Sequence, residues 1–229
     1  MGKRAIELAA QKSSVDLELE WKPFMLDPSL PRTGVDKLQH YTRKFGARAR
    51  AVLTDPENML NQRGRPMGIE FVYHEGSKVF NTFDGHRLLE VAKAKGGLAK
   101  QNAVQEVLFR KYFKEGANLA DKGQLTAAAE ECGLSAADVE EAVSSKAVEA
   151  TVGAELEQSH SRVSGVPHFY FPSVGKYPVA RASKASNVRC PSAKGRMIPP
   201  MVDKRVASFV YILSIIPPRR SSTLRGWRA

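Results

Sequence analysis

The chain has 229 residues, of which 42% are hydrophobic and 26% are charged. This length and hydrophobic content suffice for one buried core and exclude a wholly disordered polypeptide. Most of the formal net charge of +11 is carried by the C-terminal region. Residues 180–229 hold 11 basic residues and one acidic residue, or +10, which leaves +1 for residues 1–179. The sequence therefore predicts an evenly charged domain with a basic tail, which argues against a surface that is nucleic-acid-binding throughout.

Cysteine use and hydropathy indicate a cellular compartment. The two cysteines, Cys132 and Cys190, are too few for a disulfide framework and do not form a C-x-x-C pair. This usage is typical of a reducing compartment, so we expect a cytoplasmic protein. The apolar stretch near the N-terminus contains Glu7 and is too short for a secretion signal. The longest apolar run, Val206 to Ile216, has 11 residues, whereas a membrane-spanning helix needs about 20, so no membrane span is expected.

The first third of the chain mixes helical and extended patterns. Residues 2–14 carry apolar side chains on one helical face, and residues 15–21 alternate between apolar and polar, which predicts a helix followed by a half-buried strand. Residues 35–46 repeat apolar positions at steps of three and four and end at glycine, which predicts another helix. A short helix is expected from about residue 56 to 63. Residues 68–73 fit either a short strand or an extended loop.

Five further helices are predicted before the next strand. Asn81, with Asp84 three residues on, is a typical N-cap, and the apolar stripe that follows ends at Gly96-Gly97. The next helix has a wide apolar face that includes Val104 and Leu108. Three more helices are predicted from Asp121 to Gly133, from Ser135 onwards, and from about residue 147 to 162.

The stretch from Ser164 to Phe171 joins the last of these helices to an aromatic strand. Gly165 precedes an apolar run that Pro172 ends, and this pattern predicts a strand buried in a sheet. Pro167 stands at the strand entry, where a proline is tolerated because it cannot donate a ladder hydrogen bond. Position alone favours a trans Val166–Pro167 bond, since cis X-Pro bonds are a small minority in folded proteins.

The order of these segments resembles the DsbA-like dithiol-disulfide oxidoreductase family, some relatives of which are described as 2-hydroxychromene-2-carboxylate isomerases. The sequence Gly-Val-Pro-x-Phe at residues 165–169 looks like the cis-proline loop of that family's thioredoxin fold. Four further motifs follow the expected order, and they are Trp21 to Leu26, Met67 to Phe71, Asn81-Thr82 with His86 to Leu89, and Leu108 to Gly116. The resemblance runs from residue 2 to about residue 179.

This resemblance implies an α/β thioredoxin fold over residues 1–179, with a large helical insertion at about residues 33–163. It implies that the Val166–Pro167 bond is cis and that the backbone beside it pairs with an extended substrate. The site residues that it suggests are Val166 and Pro167 for substrate binding, with Asn81, Thr82 and His86 near the redox centre. For His86, helix-surface or core packing is the interpretation that the residue pattern favours.

The chain departs from the family pattern at both ends. In the family, the segment that corresponds to Gly2-Lys3-Arg4 follows a first strand and a Cys-Pro-x-Cys-Tyr-x sequence, so we expect a sheet without its central first strand and a low stability. The family's glycine-rich turn and closing helix are not found after about residue 179, and residues 180–229 predict a basic, disordered tail. The alternatives are a gene model shifted in frame at both ends and, less favoured, an arm that binds nucleic acid or an acidic membrane surface through phosphate contacts.

By resemblance, the function is thiol-disulfide oxidoreductase or isomerase chemistry on a protein or small-molecule thiol or disulfide. Because the C-x-x-C pair is absent, we expect the chain as given to be redox-inactive, with Cys132 as a buried structural thiol. The five histidines show no spacing typical of a metal site, and no cofactor is expected. Two alternatives stay open: a glutathione-dependent isomerase or transferase of the same fold, and a non-catalytic peptide-binding remnant.

Overall fold

The computed structural model describes residues 1–12 and 17–170, and the backbone of residues 206–211. These residues form eight α-helices, five short strands and one 3-10 turn at Arg65–Met67. The elements are α1 (Gly2–Lys12), β1 (Leu17–Lys22), β2 (Val35–Asp36), α2 (Lys37–Phe45), α3 (Arg48–Thr54), α4 (Met59–Gly64), β3 (Lys78–Val79), α5 (Phe83–Phe113), α6 (Lys122–Glu130), α7 (Ala136–Ser144), α8 (Lys146–Arg162), β4 (Phe169–Tyr170) and β5 (Val206–Tyr211).

The main sheet has the strand order β1-β5-β4. β5 lies in the middle, parallel to β1 and antiparallel to β4, and Val210 is aligned with both Trp21 and Phe169. β2 and β3 form a separate antiparallel pair. The sheet is therefore small and mixed, which fits an α/β thioredoxin fold dominated by helices.

β5 corrects two expectations about the ends of the chain. The position between β1 and β4, which we expected to lack a strand, is filled from the C-terminal region, and six residues of the expected disordered tail are a strand. The segment Val206–Tyr211 is rich in β-branched and aromatic residues, which favour strands. Its pairing also covers backbone edges of β1 and β4 that would otherwise be exposed. The remaining residues of the tail lie outside the described part.

Seven helices, α2 to α8, lie between β1 and β4 in the described range 23–168. This arrangement agrees with the predicted helical insertion, whose limits near residues 33 and 163 stay a prediction. α5 is interrupted where the sequence suggested, because Gly96 and Gly97 have non-helical dihedral angles. α3 was not predicted. Of the described helices, none is both long enough and apolar enough to cross a bilayer.

Residues 68–73, for which the sequence left two possibilities, form an extended loop. The side-chain amide of Asn61 fixes this loop by donating to the carbonyl of Phe71 at 2.9 Å and accepting from its N–H at 2.8 Å. These two bonds satisfy the backbone groups that a neighbouring strand would otherwise pair. A side chain from α4 thus takes the place of strand pairing.

The hydrophobic core is built around α5. Leu88 and Val104 on this helix are fully buried, and they pack in one cluster with Trp21 of β1 and Phe169 of β4. Burial of each such side chain contributes roughly 1.5–3 kcal/mol relative to exposure. α5 therefore forms the wall on which the sheet and the other helices are arranged, and its N-terminal end lies at the predicted site.

Candidate functional site

The first part of the site is the contact between α1 and the loop before β4. The Val166–Pro167 peptide bond in this loop is cis. Gly2, the first residue of α1, packs so closely on Pro167 that an added Cβ would lie 2.8 Å from the proline Cβ and 3.5 Å from the Phe169 ring. Only glycine fits at this contact, because real Cβ atoms do not approach so closely. The N-terminal end of α1 and the predicted substrate loop are thus brought together.

The second part of the site is the backbone of Val166. Val166 and Pro167 are both partly exposed. Among the residues that the structure describes, none forms a hydrogen bond with the backbone N–H or carbonyl of Val166. An unpaired N–H and carbonyl beside a strand are the groups that an extended peptide can bind by adding a strand. The loop can therefore accept an extended ligand at Val166.

Four charged side chains hold α1 in place against α5. The Lys3 ammonium group is 2.5 Å from the carboxylate of Glu7 and 2.8 Å from that of Glu106, and Arg4 pairs with the same two carboxylates. Burial alone would raise the pKa of Glu106, but Lys3 and Arg4 outweigh burial and hold this pKa below its usual value. The charges are thus paired, which is how buried ions are tolerated. The cluster positions α1 relative to α5.

Asn81 and Thr82 lie at the N-terminal end of α5. Thr82 is the N-cap residue, one position later than the sequence suggested, although the side-chain oxygen of Asn81 accepts from the N–H of Phe83 at 2.9 Å. The Asn81 amide nitrogen also donates to the carbonyl of Pro28 at 3.3 Å. Asn81 therefore fastens the start of α5 to the loop that follows β1. Its contacts are structural ones.

The loop after β1 is also held by two histidines. His86 forms a hydrogen bond with the backbone of Phe24, and its Nε2 lies 3.4 Å from the Thr82 hydroxyl. His160 donates from Nε2 to the carbonyl of Met25 at 3.2 Å. Complete burial lowers the pKa of His86 to about 4, and the bond to Phe24 opposes this effect only in part. His86 is therefore a neutral, buried side chain near neutral pH, and its role in a redox centre stays a prediction.

Two buried cations were not predicted from the sequence, one on α5 and one at the start of α2. Arg87 is 2% exposed, donates to the carbonyl of Ser145 at 3.1 Å, and lies 3.4 Å from the carboxylate of Asp84. Lys37 is 5% exposed and its ammonium group lies 4.2 Å from the ring centre of Tyr112. No carboxylate in the described residues pairs with Lys37. The spacing of Asp84 and Arg87 gave a signal for the first pair, whereas no local pattern marks Lys37.

Cys132 does not lie at this site. It follows α6, is partly buried against the core, and its pKa is raised by burial, with Lys100 opposing the effect. A protonated thiol in such surroundings is a poor nucleophile. Cys190 lies outside the described residues. Within the described ranges, no group of three or more potential metal-binding side chains is found.

Comparison with known proteins agrees with this geometry. The family model of the DSBA-like thioredoxin domain matches residues 1–182. The crystal structure of a probable DsbA oxidoreductase from Streptomyces coelicolor is similar to this chain, with a TM-score of 0.61 and 25% sequence identity over 73% of this chain and 72% of that one. A comparison with curated proteins finds no match.

Proposed function

Because the chain belongs to the DSBA-like thioredoxin domain family, we propose that it binds thiol or disulfide substrates in extended form at Val166–Pro167 but does not itself cycle between dithiol and disulfide. Family membership supports thiol-disulfide chemistry at the level of the family. The observation that carries the substrate position is the backbone of Val166, which is unpaired among the described residues and belongs to a partly exposed residue beside the N-terminal end of α1. A substrate strand would pair there with the N–H and carbonyl of Val166.

The absence of turnover follows from the chemistry of disulfide exchange. A thiolate attacks one sulfur of the substrate disulfide and forms a mixed disulfide, and a second thiolate must then attack to release the reduced product. The 229 residues contain Cys132 and Cys190 and no C-x-x-C pair. Cys132 has a pKa raised by burial, which disfavours the thiolate. The chain as given is therefore expected to bind substrate without releasing reduced product.

Two assays test the two halves of this proposal. Insulin reduction in the presence of dithiothreitol is expected to proceed at the uncatalysed rate. Turnover that survives in a Cys132→Ser, Cys190→Ser double variant would contradict the proposal, as would turnover lost on Cys190→Ser alone, which would indicate a monothiol mechanism. Conjugation and binding assays with glutathione test the glutathione-dependent alternative in parallel, and a positive result there would replace the proposed function.

Binding is measured with S-carboxymethylated insulin B chain, which carries no reactive thiol. Val166→Pro removes the backbone N–H and is expected to abolish binding. Val166→Thr has nearly the same shape and keeps the N–H, so it serves as the matched control and is expected to bind like the parent chain. Equal binding by the two variants, with the circular dichroism of both unchanged, would contradict the proposed position.

A further inference from the structure

A cavity of about 80 Å³ opens to solvent between α2, β3, α5 and the loop after β1, so it can hold only a small ligand. Among the residues that line it, none belongs to α1 or to the segment 163–170, so it shares no residue with the proposed substrate position, although Thr82 at the start of α5 borders it. Its wall is mostly apolar and includes the aromatic side chains of Tyr41, Phe80, Phe109, Tyr112 and Phe113. Such a wall favours an aromatic occupant, because rings pack against rings in offset or edge-on contacts.

Two side chains in this wall, those of Gln105 and His40, each carry a buried polar atom without a partner among the described residues. Gln105 is 1% exposed, and its side-chain oxygen accepts no hydrogen bond from any described residue. Gln101, one turn earlier on α5 and equally buried, bonds both backbone groups of Trp21. A buried amide without a partner is unfavourable, and Gln105 borders the cavity. This oxygen is covered in the structure, and a rotation of the amide that turns it into the cavity would let it accept a hydrogen bond from a ligand.

The charged side chains that line the cavity compensate each other. The Lys44 ammonium group lies 3.1 Å from the carboxylate of Asp27, so these two charges compensate each other. His40 also lines the cavity, and its pKa is lowered by burial and by the nearby charge of Lys44. A neutral imidazole and a closed ion pair leave no net charge among the residues that line the cavity. The Lys37 ammonium group does not line it but lies 4.2 Å from the ring centre of Tyr112, which does. The lining itself therefore suits a neutral ligand.

We propose that this cavity binds a small, neutral aromatic molecule with a hydroxyl group that donates a hydrogen bond to the side-chain oxygen of Gln105. The aromatic wall holds the ring by apolar contact. The hydroxyl group meets the side-chain oxygen of Gln105, which lacks a protein partner among the described residues. This binding site is independent of the substrate position at Val166–Pro167 and does not rest on the proposed function.

The proposal is tested with two probes of matched shape, 4-methylphenol and 4-fluorotoluene, of which only the first has a hydroxyl group. Binding is measured by ligand-observed NMR titration. 4-Methylphenol is expected to bind with a dissociation constant below about 1 mM and about 3- to 10-fold more tightly than 4-fluorotoluene, as one net hydrogen bond predicts. Equal affinities for the two probes, or no binding of either, would overturn the proposal.

Two variants identify the location. Gln105→Met keeps the volume but removes the acceptor, so the two probes should then bind within about twofold of each other. Gly85 lines the cavity, and a Cβ built on it meets no atom within 4 Å. The larger side chain of Gly85→Leu should therefore fill part of the cavity and weaken the binding of both probes at least tenfold. Gly85→Ala is the control, and it should change the affinity for either probe by less than about threefold. If Gly85→Leu does not fold, the Gln105→Met variant alone tests the location. If this variant still binds 4-methylphenol more tightly than 4-fluorotoluene, the probes bind at another position and the proposal is wrong. Insulin B chain binding stays unchanged in Gln105→Met, which separates this test from that of the proposed function.

Discussion

The side-chain amide of Gln101 bonds both backbone groups of Trp21. Its oxygen accepts from the Trp21 N–H at 2.9 Å, and its nitrogen donates to the Trp21 carbonyl at 3.1 Å. Trp21 belongs to β1, which is an edge strand of the three-stranded sheet. α5 thus pairs the backbone of Trp21 as a neighbouring strand would, and it occupies the edge of β1 at this residue.

This relationship predicts unequal effects on stability when two glutamines on the same helix are replaced. Gln101→Met leaves the N–H and carbonyl of Trp21 buried without partners, so it should lower the free energy of unfolding by about 2–4 kcal/mol. Gln105→Met removes an amide oxygen that has no partner and should change this free energy by less than about 1 kcal/mol, or raise it. Urea denaturation measures both. A similar loss in the two variants would show that the Trp21 bonds are not what stabilises the contact.

His86 should make the fold sensitive to acid. Burial lowers its pKa in the folded state to about 4, from an ordinary value of 6.5. Between these two pH values the unfolded chain binds a proton that the folded chain does not, so the free energy of unfolding falls as the pH falls from 6.5 to 4. The contribution reaches at most about 3 kcal/mol. His86→Gln should flatten the pH dependence of urea denaturation in this window, and an unchanged slope would contradict the burial effect.

Lys37 should make the stability of the fold depend on pH in the alkaline range. Burial lowers the pKa of its ammonium group to about 8 in the folded state, compared with 10.5 when solvated. Above pH 8 the unfolded chain keeps the proton that the folded chain loses, so the free energy of unfolding rises with pH. Lys37→Met should be more stable than the parent chain at pH 7 by up to about 3 kcal/mol, and this difference should shrink by pH 9.5. The buried tyrosines restrict the measurement to pH below 10, since burial raises the pKa of Tyr41 and Tyr112 and unfolding is favoured when they ionise.

β5 gives a prediction about the C-terminal region. Val210 is aligned with Trp21 on one side and with Phe169 on the other. Val210→Pro removes a backbone donor from a central strand, where proline is not tolerated, and should lower the free energy of unfolding by at least about 2 kcal/mol. Val210→Thr keeps the N–H and the β-branched shape and should lower this free energy less than Val210→Pro does. Equal midpoints in urea would show that the strand does not contribute to stability.

Much of the local structure could be predicted from the sequence, because helix periods and caps depend on neighbouring residues. The Asp121 side chain accepts from the N–H of Gln124, and Ser135 forms a capping box with Asp138, as their spacing indicated. Gly46 ends α2 with a positive φ angle of 76°, which residues with a side chain rarely adopt. The motif around Pro167 likewise indicated the family, because it is a continuous stretch of residues.

Only the tertiary structure decided which residues far apart in the chain contact each other. Gln101 and Gln105 are the same residue type on one helix. Only the packing of the folded chain brings Gln101 against the backbone of Trp21 and leaves Gln105 at the edge of a cavity. Lys37 is buried although its local pattern is that of an exposed helix start. The place of Val206–Tyr211 between β1 and β4 depends on strands more than 30 residues away, and a short apolar run predicts a strand without naming its neighbours. Burial and strand pairing are collective properties of the folded chain, so no local stretch of sequence specifies them.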